Sequence, residues 1–229
     1  MSIHIRSELR AEIRRLIKDT SSDTTRQRWT DAVLNNRIDW ANEDVVVNTA
    51  CLQSRITTDI TSGTAEYTLP ADFLYAQEIK YKNSDGNWNM LQQITFRQLD
   101  LSDADWEGTN GTPSHYYIRR NVIGLYPNPD TSRTAALRID YVERPDDLAG
   151  DTSYPYNAVT SLYPFHDLVV LRVAARCKED EGVWVESDKL LGRYYAGIKQ
   201  MMAKIGERFD DLRIMNIYET VRAAPRRTR

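Results

Sequence analysis

The apolar positions of the first fifty residues recur at the spacing of an amphipathic helix, with charged residues between them. Five of them share one face of the first segment: Ile5, Leu9, Ile13, Leu16 and Ile17. The polar run Asp19–Arg28 ends that helix. Thr30 is a good N-cap and Asp31 suits the first turn, so one long helix or two short ones are predicted to reach about Ser54.

From Arg55 onward the period of the pattern changes to two, which is typical of half-buried strands. Ile79 and Tyr81 alternate with charged residues, and Asp85-Gly86 is a strong hairpin signal. Trp88–Ile94 is therefore predicted to be the returning strand.

Three further β-type runs follow one another in the middle of the chain: Tyr116–Arg119, Val122–Tyr126 and Ala136–Val142. Asn121 permits a tight turn between the first two, and the third alternates apolar with charged residues. We predict that the three runs form a compact antiparallel meander. Just before them, Thr95 and Gln98 have the spacing of a capping box at the start of a short helix.

Helical spacing returns after this region. Pro164 suits the first turn of a helix that is apolar over most of its circumference and stops near Gly182. A last helix is predicted to start near Ser187, with a seam of alternating three- and four-residue steps: Leu191, Tyr194, Ile198, Met201 and Ile205. The acidic cluster Glu179–Glu181 is unfavourable at a helix C-terminus, and a basic group of a partner subunit would explain it.

These elements predict an α+β fold, in which a helical bundle from the N- and C-terminal segments carries an inserted antiparallel β domain and an extended C-terminal arm. The two helical ends are expected to join because each presents an apolar stripe that it must bury. Four units are predicted: bundle helices in 1–54, a β-rich insertion in 55–155, further bundle helices in 156–210, and the arm in 211–229.

The distribution of charge adds to this organisation. Residues 1–28 carry a net charge of +3, residues 29–211 carry −10, and residues 212–229 carry +4. A protein that binds duplex DNA tightly would present a basic face, so an acidic body with basic ends disfavours that class. The basic ends suit an acidic partner.

Two further features of the sequence bear on its compartment. No signal peptide and no membrane-spanning run is expected from the pattern. Cys51 and Cys177 are far apart in sequence and form no CxxC motif, so reduced thiols are predicted rather than a disulfide.

Motifs that carry catalysis are missing from the sequence. His4, His115 and His166 do not form an HExxH pair, and the chain has neither a phosphate-binding glycine loop nor a GxSxG elbow. Residues 103–108, DADWEG, resemble the start of a calcium loop, but the twelfth position is Ser114 instead of the closing glutamate. We interpret this segment as a solvated acidic loop, and we predict no metal and no cofactor.

Two alternative functions remain open from the residues alone. A nucleic-acid-binding module could stack bases on strand tyrosines beside cations, with Tyr117, Arg119 and Arg120 as the candidates. A metal-dependent hydrolase, the weaker alternative, would need carboxylates that converge from separate elements. Its candidates all fall in one loop: Asp146, Asp147 and Asp151.

Four stretches of the chain resemble the head-to-tail adaptor (connector) proteins of tailed double-stranded DNA bacteriophages, especially short-tailed ones. They are YTLPADFL at 67–74, GTPSHYYIRRNVIGLYPNPD at 111–130, RIDYVERPDDLAGDT at 138–152 and FHDLVVLRVAARCKEDEG at 165–182. These motifs are structural rather than catalytic, and the resemblance covers about residues 30–205. The alanine-rich second helix common in that family is less well represented here by LNNRIDWANEDV.

The resemblance implies a non-enzymatic virion protein that forms a ring, usually of twelve copies, between portal and tail. DNA would pass through the lumen without sequence recognition, and the tail tube or nozzle protein would bind below. The family's C-terminal extension implies that the arm of this chain reaches the portal. The candidate contact residues in the arm are Met215, Ile217, Tyr218, Val221, Arg222, Arg226 and Arg227.

Overall fold

The structure is a computed structural model that describes residues 5–21, 27–102 and 105–206. Within these ranges the α-helices are α1 (Arg6–Ile17), α2 (Asp31–Thr49), α3 (Phe96–Ser102), α4 (Asp167–Asp180) and α5 (Trp184–Gly206). None of the described helices combines the length and the apolar character needed to cross a bilayer. Helices lie at both ends of the described chain and a β region is inserted between them, so the predicted α+β class is confirmed.

The two N-terminal helices form where the apolar spacing predicts them. Leu9 and Ile13 of α1 are fully buried, and the Thr30 side chain accepts a hydrogen bond from the backbone N–H of Val33 at the start of α2. The second helix ends at Thr49, however, and not near Ser54. Ala50 adopts a left-handed conformation that closes the helix, and the chain is extended from the third residue after it.

The C-terminal helices form an antiparallel hairpin that turns at Gly182, whose φ of +74° favours glycine. Pro164 belongs to a preceding 3-10 turn, Thr160–Phe165, and α4 begins only at Asp167, so the predicted start of this helix is wrong by three residues. The seam predicted for α5 is confirmed, since Tyr194, Ile198, Met201 and Ile205 are buried and Leu191 is half-buried. The helix itself starts at Trp184, three residues before Ser187.

Helix α4 is the centre of the bundle and packs against α1, α2 and α5. Its apolar circumference is explained by these three neighbours, because almost every side of the helix is covered. Arg37 pairs with Asp180 and Asp44 pairs with Arg172, so α2 runs antiparallel to α4 and therefore parallel to α5. The bundle core joins residues of all four helices, as their apolar stripes require.

The described part of the inserted region contains ten short or medium strands. They are β1 (Gln53–Ile60), β2 (Glu66–Thr68), β3 (Phe73–Lys82), β4 (Trp88–Met90), β5 (Gln92–Gln93), β6 (Asn110–Gly111), β7 (His115–Arg119), β8 (Val122–Tyr126), β9 (Asn128–Pro129) and β10 (Arg133–Glu143). One sheet has the order β1-β10-β3-β4 and a second has the order β2-β8-β7-β5, with β6 and β9 as a separate pair.

The predicted meander is wrong in its third strand. β7 and β8 pair antiparallel as expected, but β10 lies in the other sheet between β1 and β3. β10 is eleven residues long, and its inward residues Leu137, Ile139 and Tyr141 are buried. The alternation of β10 correctly indicated a half-buried strand, but alternation fixes the face of a strand and does not select its partner.

The returning strand predicted over Trp88–Ile94 is divided between the two sheets. β4 pairs with β3 across the Asp85-Gly86 turn, but it stops at Met90. β5 then runs parallel to β7 in the other sheet. The capping box after it is confirmed, because Thr95 and Gln98 each bond the backbone N–H of the other. At Leu91 the chain therefore passes from one sheet to the other. The two sheets share a second core, smaller than that of the bundle.

Candidate interaction surfaces

The predicted C-terminal contact residues lie outside the described residues: Met215, Ile217, Tyr218, Val221, Arg222, Arg226 and Arg227. The described chain leads up to the arm and ends with Gly206, at the end of the bundle where α4 begins. There Ile205 is buried and the Lys204 ammonium lies 5.6 Å from the ring centroid of Phe165. The contribution of the arm therefore stays a prediction.

The loop that follows β10 is bound to the first helix. The backbone N–H groups of Arg6 and Ser7 donate to the carbonyls of Ser153 and Asp151, at 2.9 and 3.1 Å. These bonds satisfy donors that the first turn of a helix leaves without an intrahelical partner. The guanidinium of Arg10 donates to the Asp151 carboxylate at 2.7 Å and holds its pKa below the usual range. Asp151 is thus an anchor for α1.

The same loop provides the other carboxylates proposed for a hydrolase. Asp146 and Asp147 are exposed, and Asp147 lies near enough to Asp39 of α2 for its charge to contribute to the raised pKa of Asp39. Across the three described ranges, no group of three or more histidine, cysteine or acidic residues is placed to hold a metal ion. The carboxylates of this loop therefore offer no described site for metal-assisted hydrolysis.

Asp39 of α2 ties the bundle to this loop from the other side. Its carboxylate accepts from the Arg6 guanidinium at 2.8 Å and from the backbone N–H of Leu148 at 3.1 Å. Burial raises the pKa of Asp39 although both donors act in the opposite direction. The β insertion and the bundle are therefore joined by polar contacts as well as by Leu148, which belongs to the bundle core.

The acidic end of α4 is paired within the chain, so the partner subunit invoked from the sequence is not needed there. Glu181 accepts from the Lys178 ammonium at 3.1 Å, from Arg28 at 2.8 Å and from the Trp29 indole at 3.3 Å. Burial opposes the charge of Lys178, but its hydrogen bonds to Glu181 and Glu186 prevail and raise its pKa. Sequence spacing could not reveal Arg28 and Trp29 as partners, since they are about 150 residues away.

The residues proposed to stack nucleic-acid bases do not form an open platform. Tyr117 is only 3% exposed and packs between Phe96 and Trp106, with ring centroids 4.8 and 5.6 Å away. Burial raises the pKa of its hydroxyl to about 12. Arg119 pairs with Glu66 at 2.9 Å. A buried ring cannot stack on a base, and the strand tyrosine instead closes a small core.

The structure also places the two described histidines and part of the calcium-like segment. His115 opens β7, as predicted. His166, expected in the first turn of α4, directly precedes the helix and is fully buried beside the rings of Tyr156 and Tyr163. Of the calcium-like segment, Asp103 lies outside the described residues, whereas Asp105 precedes a short 3-10 turn.

Both cysteines are free thiols, which confirms the prediction of no disulfide. Burial raises the pKa of Cys51 to about 12 and also raises that of Cys177. Neither residue has the lowered pKa of a reactive cysteine.

The outer side of α2 carries an aromatic surface stiffened by ion pairs. The Trp40 ring is 40% exposed, and the Arg172 guanidinium lies 4.4 Å from its centroid. Arg172 pairs with Asp44 at 3.0 Å, and Asp44 also accepts from the Tyr194 hydroxyl at 2.7 Å. Because these contacts fix the side chains before any partner arrives, little rotamer freedom would be lost on binding.

This surface extends along the helix. Val33, Trp40 and Val47 are all exposed and follow one another at seven-residue spacing, which places them on one side of α2 over about 21 Å. Exposed tryptophan next to arginine is typical of protein-binding hot spots. The spacing of apolar residues does not distinguish this exposed stripe from the buried apolar stripe of α2, so the sequence analysis did not predict it.

No curated protein matches the chain. The family model described as SU10 adaptor protein matches residues 6–228, which is almost the whole sequence. Its extent covers both bundle segments, the β insertion and most of the arm, so the chain belongs to the SU10 adaptor protein family, whose members are structural adaptors of bacteriophages.

Proposed function

We propose that this protein forms a ring between the portal and the tail of a phage particle and that it acts without catalysis. The observation that carries the proposal is the family match over residues 6–228, since an adaptor of this family works through oligomerisation and through contacts with portal and tail proteins. Its place would be the neck of the virion. The ring is expected to be dodecameric and to assemble in the host cytoplasm.

The charge distribution supports passage of DNA through such a ring. Residues 29–211 carry a net charge of −10, and a lumen lined by this body would repel the phosphates of a duplex and leave it free to slide. The same charge opposes sequence-independent DNA binding, and the burial of Tyr117 removes the stacking ring that the nucleic-acid alternative requires. The described residues favour neither of the alternative functions.

The C-terminal arm is the proposed contact with the portal. Residues 212–229 carry a net charge of +4 and combine apolar with cationic side chains. An extended segment of this composition could add a strand to a sheet of the portal or pair with its acidic groups. The arm begins soon after Gly206, so a rigid helix would present it at one end of the bundle.

Deletion of residues 212–229 tests the arm. The truncated protein should keep the circular dichroism spectrum of the full chain and lose co-sedimentation with purified portal. Two matched variants separate the contributions of charge and apolar contact: Arg226→Ala with Arg227→Ala, and Ile217→Asp with Val221→Asp. Unchanged docking of the truncated protein would refute the arm hypothesis.

Mass measurement and negative-stain imaging test the ring itself. The full chain, alone or mixed with portal, should form closed rings. A compact monomer that retains DNA in a salt-dependent gel shift would favour the nucleic-acid alternative. Cleavage of DNA that depends on magnesium or manganese would favour the hydrolase.

A further inference from the structure

We propose that the C-terminal arm is anchored on its own chain, where residues 212–221 add a strand to the free edge of β1. The inference rests on the proposed function, in which this arm contacts the portal, and it states how the arm would be held. Strand addition joins two main chains by hydrogen bonds, and alternate side chains provide its specificity.

Strand β1 is the longest sheet edge in the described part of the chain. The first sheet ends in β1 and β4, and the second ends in β2 and β5. β1 has eight residues, whereas the other three edge strands have two or three. Very short edge strands protect a sheet against unwanted pairing, and a long edge is usually paired or covered. β1 is therefore the edge at which an added strand is expected.

The register of β1 on β10 shows which of its backbone groups are free. The Leu52 carbonyl accepts from the backbone N–H of Glu143 at 3.1 Å, and bonded pairs recur at every second residue of an antiparallel ladder. Gln53, Arg55 and Thr57 therefore direct their backbone groups away from β10. Within the described ranges these groups have no backbone partner, and Arg55 and Thr57 are exposed. A strand could thus bind here without displacing any described contact.

The arm contains a run with the composition of a strand. Residues 212–221 read LRIMNIYETV and include neither glycine nor proline. Half of them are β-branched or aromatic, which are the residue types enriched in strands. The run is long enough to cover the eight residues of β1.

The arm begins at the end of the bundle from which β1 departs. The Tyr194 hydroxyl of α5 donates to Asp44 of α2, so these residues of two parallel helices lie at one level. From that level α5 extends about 18 Å to Gly206, whereas α2 extends only about 7.5 Å to Thr49. β1 starts soon after Thr49, and residues 207–211 can span up to about 17 Å. The arm of the same copy therefore has the length to reach β1.

Strand addition would also orient the proposed portal contacts, because successive side chains of a strand point to opposite faces. One face of the run would continue the face of Ile56, which packs against the second core. The residues suited to that face are Leu212, Ile214 and Tyr218. The opposite face would then present three of the proposed contact residues: Met215, Ile217 and Val221.

Amide hydrogen exchange of the full chain, measured at single residues, tests the anchoring. Arg55 and Thr57 should exchange at least about tenfold more slowly in the full chain than in protein lacking residues 212–229, because the added strand accepts from their N–H groups. Ser54 and Ile56 are internal controls. Their N–H groups face β10, so the deletion should leave their exchange unchanged.

Proline substitutions in the arm locate the contact without altering the described fold. In the double variant Ile214→Pro/Met215→Pro one of the two lost N–H groups faces β1 whatever the register, since neighbouring residues of a strand point their N–H groups to opposite sides. This variant should accelerate exchange at Arg55 and Thr57 as the deletion does. The matched control Ala223→Pro/Ala224→Pro lies beyond the run and should leave the exchange unchanged.

The outcomes separate this inference from the proposed function. Equal exchange at Arg55 and Thr57 with and without the arm would overturn the inference. Slow exchange that requires a high protein concentration would assign the arm to another copy, and slow exchange that requires added portal would assign the edge to a portal strand; either result would overturn anchoring within the chain. Portal docking of the same truncated protein is a separate measurement. Lost docking with unchanged exchange would leave the proposed function in place, whereas unchanged docking with accelerated exchange would refute the portal contact and leave the anchored arm.

Discussion

Replacement of Gly124 by alanine should destabilise the protein through a clash with a single ring. Gly124 in β8 lies opposite Tyr117 in β7, and the tyrosine ring covers the glycine. A β-carbon at this position would lie 1.9 Å from Cζ of Tyr117 and 2.3 Å from Cε2. Since carbon atoms in contact are separated by about 3.5–4.0 Å, the ring would have to move by roughly 1.5 Å.

The surroundings of the ring determine the size of the effect. Tyr117 is 3% exposed and contacts Phe96 and Trp106, and its hydroxyl donates to Glu66 at 3.3 Å. Overpacking of a core costs about 1–3 kcal/mol. Because this ring is enclosed on both faces, we expect a loss of about 2–3 kcal/mol in the free energy of unfolding for Gly124→Ala.

Gly197→Ala is the matched control. Its β-carbon would meet Cδ2 of Leu168 at 2.4 Å, but that methyl group ends a flexible side chain and can rotate away. Alanine is also favoured over glycine inside a helix by about 1 kcal/mol. We therefore expect Gly197→Ala to stay within about 1 kcal/mol of the wild type or to exceed it.

Urea unfolding followed by circular dichroism measures both variants at pH 7. Replacement of Tyr117 by valine should remove the clash, so that Gly124→Ala costs almost nothing in the Tyr117→Val background. A Gly124→Ala variant within about 0.5 kcal/mol of the wild type would refute the reasoning, since it would mean that the ring has space to move.

Two further predictions concern buried polar groups. Glu181→Gln should cost about 1–3 kcal/mol at pH 7, because Lys178 and Arg28 lose a charged acceptor. The folded-state pKa of Glu181 lies below its ordinary value, so the stability difference between wild type and Glu181→Gln should be present above that ordinary value and vanish as the pH falls through the folded-state pKa. Urea unfolding of wild type and variant between pH 7 and pH 3 measures this difference. A difference independent of pH would contradict the stabilising role of the Glu181 carboxylate. Cys51 and Cys177 should react with a maleimide far more slowly in the folded protein at pH 8 than in urea, because burial raises both pKa values. Equal rates in the two states would show that the thiols are accessible.

Local patterns in the sequence were sufficient to predict the features that depend only on nearby residues of the chain. The stripe of α1, the cap at Thr30, the capping box at Thr95 and the seam of α5 were all predicted because each depends on neighbours within a few residues. The resemblance to phage adaptors was likewise carried by short motifs, and the family match confirms it.

What the sequence by itself determined is thus the order and type of the elements, the acidic body and the basic end. The tertiary structure alone decided that β10 lies between β1 and β3, that Tyr117 is buried, and that Glu181 meets Arg28 and Trp29. The physical reason is that periodicity specifies which face of an element is buried, whereas its partner depends on contacts between residues far apart in the chain. For the same reason the exposed stripe around Trp40 could not be predicted from the sequence, because the bundle decides which side of α2 is covered.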